Sequence, residues 1–250
     1  QARTLQHKEG RILLLADMAH GTARIGGTLD ASAPGGINGG GNGGFIETSG
    51  AQVQVADGAQ VTTRAVQGST GTWLIDPTDF SVHAGAGAQA ASGIGADTLA
   101  ANLANNHITL QTDGAGSQAG DLTFDAAVTW GSNNKLTLQA HNDIKVNAAI
   151  TNTGSGSFAA SAGRHFSNAA AISLAGGDIS ITSGTAPGTF GNTHFGAGVR
   201  ARNLEVRASG DITQGGGGLL DLGTTGELRA QAGGTVDLSG FGNVFGVVSG

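Results

Sequence analysis

The stretch GDLTFDAAV at residues 120–128 returns as NDIKVNAAI at 142–150 and, more loosely, as RHFSNAAAI at 164–172. Each copy lies 22 residues after the last, and the third keeps Phe166, Ala170, Ala171 and Ile172. A second element runs in step. LTLQAHNDI (136–144), FAASAGRHF (158–166), LEVRASGDI (204–212) and LRAQAGGTV (228–236) share an apolar residue, an Ala four later and an apolar residue eight later. Their starts differ by 22, 46 and 24 residues, and 46 reads as two periods of 23.

A period of this length with alternation inside each copy is the signature of a solenoid. In LTLQA, Leu136, Leu138 and Ala140 point one way, and Thr137 and Gln139 the other. In IKVNA, Ile144, Val146 and Ala148 face inward while Lys145 and Asn147 face outward. That is the two-residue repeat of a strand. Turn pairs such as His141-Asn142 and Ser209-Gly210 separate the strands. Each copy is then one coil of two or three short strands. One coil cannot bury its inner face alone, so coils stack, each strand about 4.8 Å from its equivalent. About eleven coils of 22–24 residues would form a rod on the order of 50 Å long. The expected fold is an all-β parallel β-helix over residues 1–250. It divides into an early region (10–83), an irregular insertion (84–118) and repeat coils (119–250).

Helix patterning is confined to ADTLAANLANN (96–106), where Leu99 and Leu103 are spaced i, i+4 and Asp97 is the expected N-cap. One short helix is expected near 97–105, packed on the rod, followed by the strand HITLQT (107–112).

Composition bounds the chemistry. Of 250 residues, 46 are Gly, and charged residues make up 12%, about half the usual share. With 38% hydrophobic residues and a net charge of only −6, the chain does not have the composition of a disordered tail. Cys is absent, which excludes thiolate metal sites and Cys nucleophiles. Lys occurs only at 8, 135 and 145 and the Arg residues are scattered, which argues against nucleic acid. No segment approaches 18 consecutive apolar residues. The opening QARTLQHKEGRILLLADMAHG holds a Leu triplet but no signal-peptide core, and VFGVVSG reads as the middle of a strand and turn. The expectation is an interior piece of a longer polypeptide.

Early in the chain, GTARIGGTLDASAPGG (21–36), GGFIETSG (43–50), VQVADGAQVTT (53–63) and GTWLIDPTDFSV (71–82) follow one another. LAANLANNHITLQT (99–112) and GDLTFDAAVTW (120–130) come next. This order resembles the filamentous-haemagglutinin-like exoproteins of two-partner secretion, closest to the high-molecular-weight adhesin type, over roughly residues 10–150. The pairing of GGFIETSG with WLIDPTDF is its most specific part. The resemblance implies a right-handed parallel β-helix at a Gram-negative cell surface, downstream of an amino-terminal secretion domain. It implies export through an outer-membrane transporter partner, with a host-cell receptor or glycan as a further partner. The expected function is a non-catalytic shaft or passenger segment of a large secreted adhesin. The alternatives are a polysaccharide-degrading enzyme on the same fold and the stalk of a contact-dependent toxin-delivery exoprotein.

Candidate chemistry is sparse. The glycines of GGGNGG (39–44) lack the regular Asp that a calcium repeat needs, the nearest acids being Asp30 and Glu47. No Gly-Lys-Ser/Thr phosphate loop and no GxSxG elbow occurs. Asp76 and Asp79, and Asp121 and Asp125, are carboxylate pairs that a glycosidase could use. Yet Asp121 has an equivalent in Asp143 one coil on, and Asn147 replaces Asp125 there, which fits turn residues bonding their own backbone. Asp76-Pro77 reads as a turn ending the strand WLI. An enzyme would bring Asp121, Asp143 and an Arg together in one cleft. His7, His20, His83, His107, His141, His165 and His194 form no ligand pair, and His141 and His165 fall at turns. Trp73 and Trp130 alternate with apolar neighbours and are expected in the core. No catalytic residue, metal ligand or cofactor is assigned. Binding, if present, would use the loops 84–95 and 185–198 that break the period. In GGFIETSG, Phe45 and Ile46 begin a strand with one of them inward, Glu47 faces solvent, and Thr48-Ser49-Gly50 turns the corner.

Overall fold

The computed structural model describes residues 4–8, 10–33, 35, 41–85, 91–114, 118–240 and 242–249. It is a parallel β-helix with three sides. Sheet one holds eleven strands and sheet two holds ten. The third side is a pair of strands and a five-stranded sheet, separated by a helix. The repeats found in the sequence stack in register. Leu122 lies beside Ile144, and Ile144 beside Phe166. Leu136, Phe158, Ile179, Leu204 and Leu228 form one inward column of sheet one. Ile179 belongs to the copy hidden in the 46-residue gap, which splits into coils of 21 and 25 residues rather than two of 23.

The coil length is less uniform than the repeats suggest. Ten parallel strands, rather than eleven, stack in sheet one, spanning roughly 43 Å at about 4.8 Å per step. The eleventh strand, Thr4–Lys8, runs antiparallel along Arg11–Leu15 and covers that edge. Trp73 to Ile108, neighbours in register, are 35 residues apart, against 22 for Leu136 to Phe158.

Alternation puts the core inside and explains the residue choice. Ile46, Trp73, Ile108 and Leu136 are all fully buried. Phe158 and Phe166 occupy one coil together, where the second inward position of sheet one shrinks to Ala160. Large and small residues thus trade volume to keep a narrow interior filled. Trp73 and Trp130 are both core residues, as their alternation indicates.

The glycines cluster for a reason that composition alone hides. Gly10, Gly44 and Gly71 stack at the corner entering sheet one, and Gly156, Gly177 and Gly226 occupy the same coil position farther along. A Cβ on Gly44 would sit 1.9 Å from the Gly10 carbonyl oxygen, and one on Gly71 would sit 1.9 Å from that of Gly44. Backbone passes over backbone at Gly44 and Gly71, which leaves no room for a side chain at these two positions. The same corner carries Asn106 and Asn134 in the two coils that border the helix.

The irregular insertion is built into the wall. After Phe80–His83 the chain leaves sheet two and returns as Gly93–Gly95, wedged between that strand and Gln52–Val55. Ile94 enters the core, and the Ser92 hydroxyl accepts the Val53 N–H at 3.0 Å, where the short strand leaves that donor uncovered. Helix α1 (Ala96–Leu103) follows and takes the place of a third-side strand. It is thus part of the rod rather than an ornament on it. Its N-cap is Gly95, with no side-chain cap, and Asp97 lies in the first turn instead. Leu99 and Leu103 are fully buried. The strand after it runs His107–Gln111. No helix among the described residues is long and apolar enough to cross a membrane.

Candidate functional site

Two places combine polar groups on a defined scaffold: the corner between sheets one and two, and the junction of α1 with the third side. At the corner, each coil accepts a backbone N–H from the next. The Asp79 carboxylate accepts from Gly120 at 2.7 Å and from Asp121 at 2.8 Å. Asp121 accepts the Asp143 N–H at 3.1 Å, and Asp143 accepts the His165 N–H at 3.1 Å. The ladder continues as His165 Nδ1 accepts from Asn192 at 3.0 Å, Asn192 Oδ1 from Asp211 at 2.8 Å, and Asp211 from Thr235 at 2.7 Å. These residues are turn residues, but they bond the following coil rather than their own backbone. That corrects the local turn expected from sequence.

Asp121, Asp143 and Arg164 do converge. Lys145 Nζ lies 2.7 Å from Asp121 and 3.7 Å from Asp143, and Arg164 donates to Asp143 through Nε at 2.9 Å and Nη2 at 2.7 Å. Burial pushes both carboxyls up. For Asp121 the bonds from Lys145, the Asp143 N–H and Asn142 outweigh burial and hold it below the ordinary carboxylate range. For Asp143 the bonds from Arg164 and the His165 N–H, with the charges of Arg164 and Lys145, do the same. A general acid must hold a proton near neutral pH. These two carboxylates are held ionised and their oxygens are engaged. Asp125 lies at the next corner, exposed, and accepts from Asn147 Nδ2 at 2.9 Å.

Asp76 behaves in the opposite way, which the sequence does not signal. It ends the strand Thr72–Asp76 on the outer face of sheet one, beside Ser49 and Gln111 in the neighbouring coils. One carboxylate oxygen accepts from Gln111 Nε2 at 3.2 Å, and the other is buried without a partner. Burial first, then the charges of Asp113 and Glu47, push its pKa up to about 6. Among the described residues, no three His, Asp or Glu side chains are grouped so as to hold a metal ion.

The GGFIETSG stretch resolves in the same wall. The strand runs Phe45–Ser49, past the expected corner, with Ile46 and Thr48 inward and the turn at Gly50 and Ala51. Phe45 stays partly exposed under the Arg11 guanidinium, 5.0 Å from its ring centre. Glu47 points outward, half-buried, and accepts the Ser49 hydroxyl at 2.8 Å.

At the helix junction, asparagines close a strand edge. Asn102 Oδ1 accepts the Val61 N–H at 2.7 Å while its Nδ2 donates to the Ala59 carbonyl at 2.8 Å. Asn106 Nδ2 donates to the Val61 carbonyl at 2.7 Å and its Oδ1 accepts from Thr63. On the far side, Asn134 and Ser132 donate to the Leu103 carbonyl at the end of α1. Between α1 and the strand Gln60–Thr62 opens a cleft of about 640 Å³. Periodicity does not reveal it, because the residues that line it belong to a strand and a helix with different repeats.

Of the two loops expected to break the period, 86–90 lies outside the described residues, as do 36–40 of the glycine run and the side chain of His7. The other is a turn spanning 184–192, before the strand Thr193–Phe195. Ser209 Oγ accepts the Gly191 N–H and donates to the Thr189 carbonyl there, and Phe190 is 81% exposed. No family model, no curated protein and no solved structure gives a significant match to this chain.

Proposed function

We propose that this chain is a non-catalytic shaft segment of a large secreted bacterial surface adhesin of the filamentous-haemagglutinin kind. It is exported by two-partner secretion and supports attachment to cells or host surfaces. The observation that supports this most is the meeting of the two stretches that carry the resemblance. GGFIETSG and WLIDPTDF are adjacent strands in register, Ile46 beside Trp73 and Thr48 beside Ile75, and share one glycine corner. The rod has three hydrogen-bonded sides and a ladder at one corner, so it holds its ends apart. Its action is geometric: it extends what it carries away from the membrane.

The test is to express the reading frame that encodes this chain, with its neighbouring outer-membrane transporter, in a Gram-negative host. The expected result is protease-accessible protein at the surface, and cell attachment that depends on the transporter. Protein retained inside the cell with the transporter present, or attachment unchanged when the reading frame is deleted, would overturn the reading.

A further inference from the structure

We propose that the outer face of sheet one is a contact between two copies of this chain, packed side by side and running in opposite directions. Two outward columns make up the face. One runs from Glu47 through Thr109 to Glu205 and Arg229, and the other from Asp76 through Gln111 to Arg207. On the four coils between the charged ends, the outward residues of both columns, from Thr109 to Thr182, are Thr, Gln, Ser or Ala. That stretch carries no charge, so nothing in it repels a second copy of itself.

The two ends of the face differ in charge. Among the described residues, no cation pairs with Glu47 or Asp76 at the first end. Burial, then the charges of Asp113 and Glu47, push Asp76 up to about 6, which marks a carboxylate short of a counter-ion. At the other end the Arg207 and Arg229 side chains are 59% and 61% exposed. Arg207 binds Glu205 at 2.8 Å, and Arg229 spends Nε on Glu227 at 2.8 Å. A guanidinium has five N–H donors, so both keep donors for a partner. Clefts of about 280, 320 and 240 Å³ lie beside these two Arg side chains, with room for acidic side chains from above.

The positions of the charges select the arrangement. Glu47 lies seven coil steps from Arg229 along its column, and Asp76 lies five steps from Arg207 along the other. Both spans are centred between the same two strands, Leu136–Ala140 and Phe158–Ala162. A two-fold axis at that centre, parallel to the strands, sets Glu47 against the partner's Arg229 and Asp76 against the partner's Arg207. Symmetry repeats both pairs. Parallel rods with their coils level would set Glu47 against Glu47 and Arg229 against Arg229, like against like. Seven steps of about 4.8 Å, and outward residues about 6.6 Å apart, give a matched face of roughly 34 Å by 15 Å. That is about 500 Å² per copy, or about 1,000 Å² in all, the lower limit of a specific interface. A weak dimer with a Kd of about 10–100 μM is expected.

The test is sedimentation of the chain carrying Val248→Lys, which places a charge on the last strand of sheet one and so sets end contacts apart from side contacts. A monomer–dimer equilibrium is expected in this parent. Glu47→Arg and Arg229→Glu, added singly, should each raise the dimer Kd at least about tenfold, because each sets like charges face to face. An equimolar mixture of the two variants should return the Kd to within about threefold of the parent, because every mixed pair is again of opposite charge. Circular dichroism and the melting temperature establish that the variants fold, and Ser167→Ala on sheet two is a control with the Kd unchanged. Three outcomes overturn the proposal: a parent that stays monomeric at about 500 μM, a dimer that neither folded single variant weakens, or a mixture that stays as dissociated as its components. None of these bears on export, and an export failure would leave the sedimentation result standing.

Discussion

The indole N–H of Trp73 donates to the hydroxyl of Thr48 at 3.2 Å, and both side chains are fully buried. Thr48 in turn donates to the Leu74 carbonyl at 3.3 Å. A Trp in a narrow apolar interior needs a partner for its N–H. The neighbouring coil supplies it from a residue that the sequence suggests is a corner. Replacing Thr48 by Val keeps the shape and strands the donor. Thr48→Val should cost about 1–3 kcal/mol in urea unfolding, with the slope unchanged. A neutral result would mean that the indole finds another acceptor.

The stacked-glycine corner makes a sharper prediction from two adjacent residues. A Cβ on Gly177 would meet the Gly156 carbonyl oxygen at 2.0 Å, whereas one on Gly176 finds nothing nearer than 3.4 Å. Gly177→Ala should destabilise by about 3 kcal/mol and Gly176→Ala by less than about 0.5 kcal/mol. Equal effects would show that the corner has room to relax.

The carboxylates divide by the sign of their pH dependence. Asp121 and Asp143 are held below their unfolded values, so their stabilisation is present above about pH 4 and lost as pH falls below it. Acid titration of the melting temperature should show this loss, and Asp143→Asn should flatten it.

Asp76 runs the other way. Its folded pKa of about 6 lies above the unfolded value, so the chain binds more protons when folded between about pH 4 and pH 6. Stability from this group is fully present below pH 4 and falls as pH rises through 6. Asp76→Asn should raise stability at pH 7.5 by about 1 kcal/mol, a figure reduced because the side chain is partly exposed to solvent, and should leave stability at pH 4 nearly unchanged.

Among the described residues, the last strand of sheet one, Val247–Ser249, is paired on one side only. Val247 and Val248 are 55% and 61% exposed on the last strand of sheet one, and Val236 and Val244 are exposed beside them. An unpaired apolar edge invites pairing with a second chain. A β-rich circular dichroism spectrum and concentration-dependent association in ultracentrifugation are expected, with Val248→Lys reducing the association. A Val248→Lys chain that associates as strongly as the parent would place the contact elsewhere.

Most of the wall is legible in the sequence. The 22-residue shift from GDLTFDAAV to NDIKVNAAI is the stacking register itself, because each apolar residue must meet its equivalent to fill the interior. Trp73 and Trp130 read as core from alternation alone. The copy at Ile179–Ser183 escapes the pattern because ISITS lacks the Ala that marks the others, Ser183 standing in its column beside Ala162 and Ala208. The partners of Asp121 are hidden for a different reason. Spacing shows that an Asp recurs, but not that its acceptor oxygens reach forward one coil.

The sequence by itself determined that this chain stacks β coils, where the inward residues fall, and that one helix interrupts them. Those properties follow from period and burial, which act residue by residue along the chain. Only the tertiary structure decided that α1 replaces a strand, that Asn102 and Asn106 close the edge beside it, and that a cleft opens there. It also decided that Gly44 must be glycine. These depend on which backbone lies across from which, at distances of about two to three ångströms, and no local pattern carries that information.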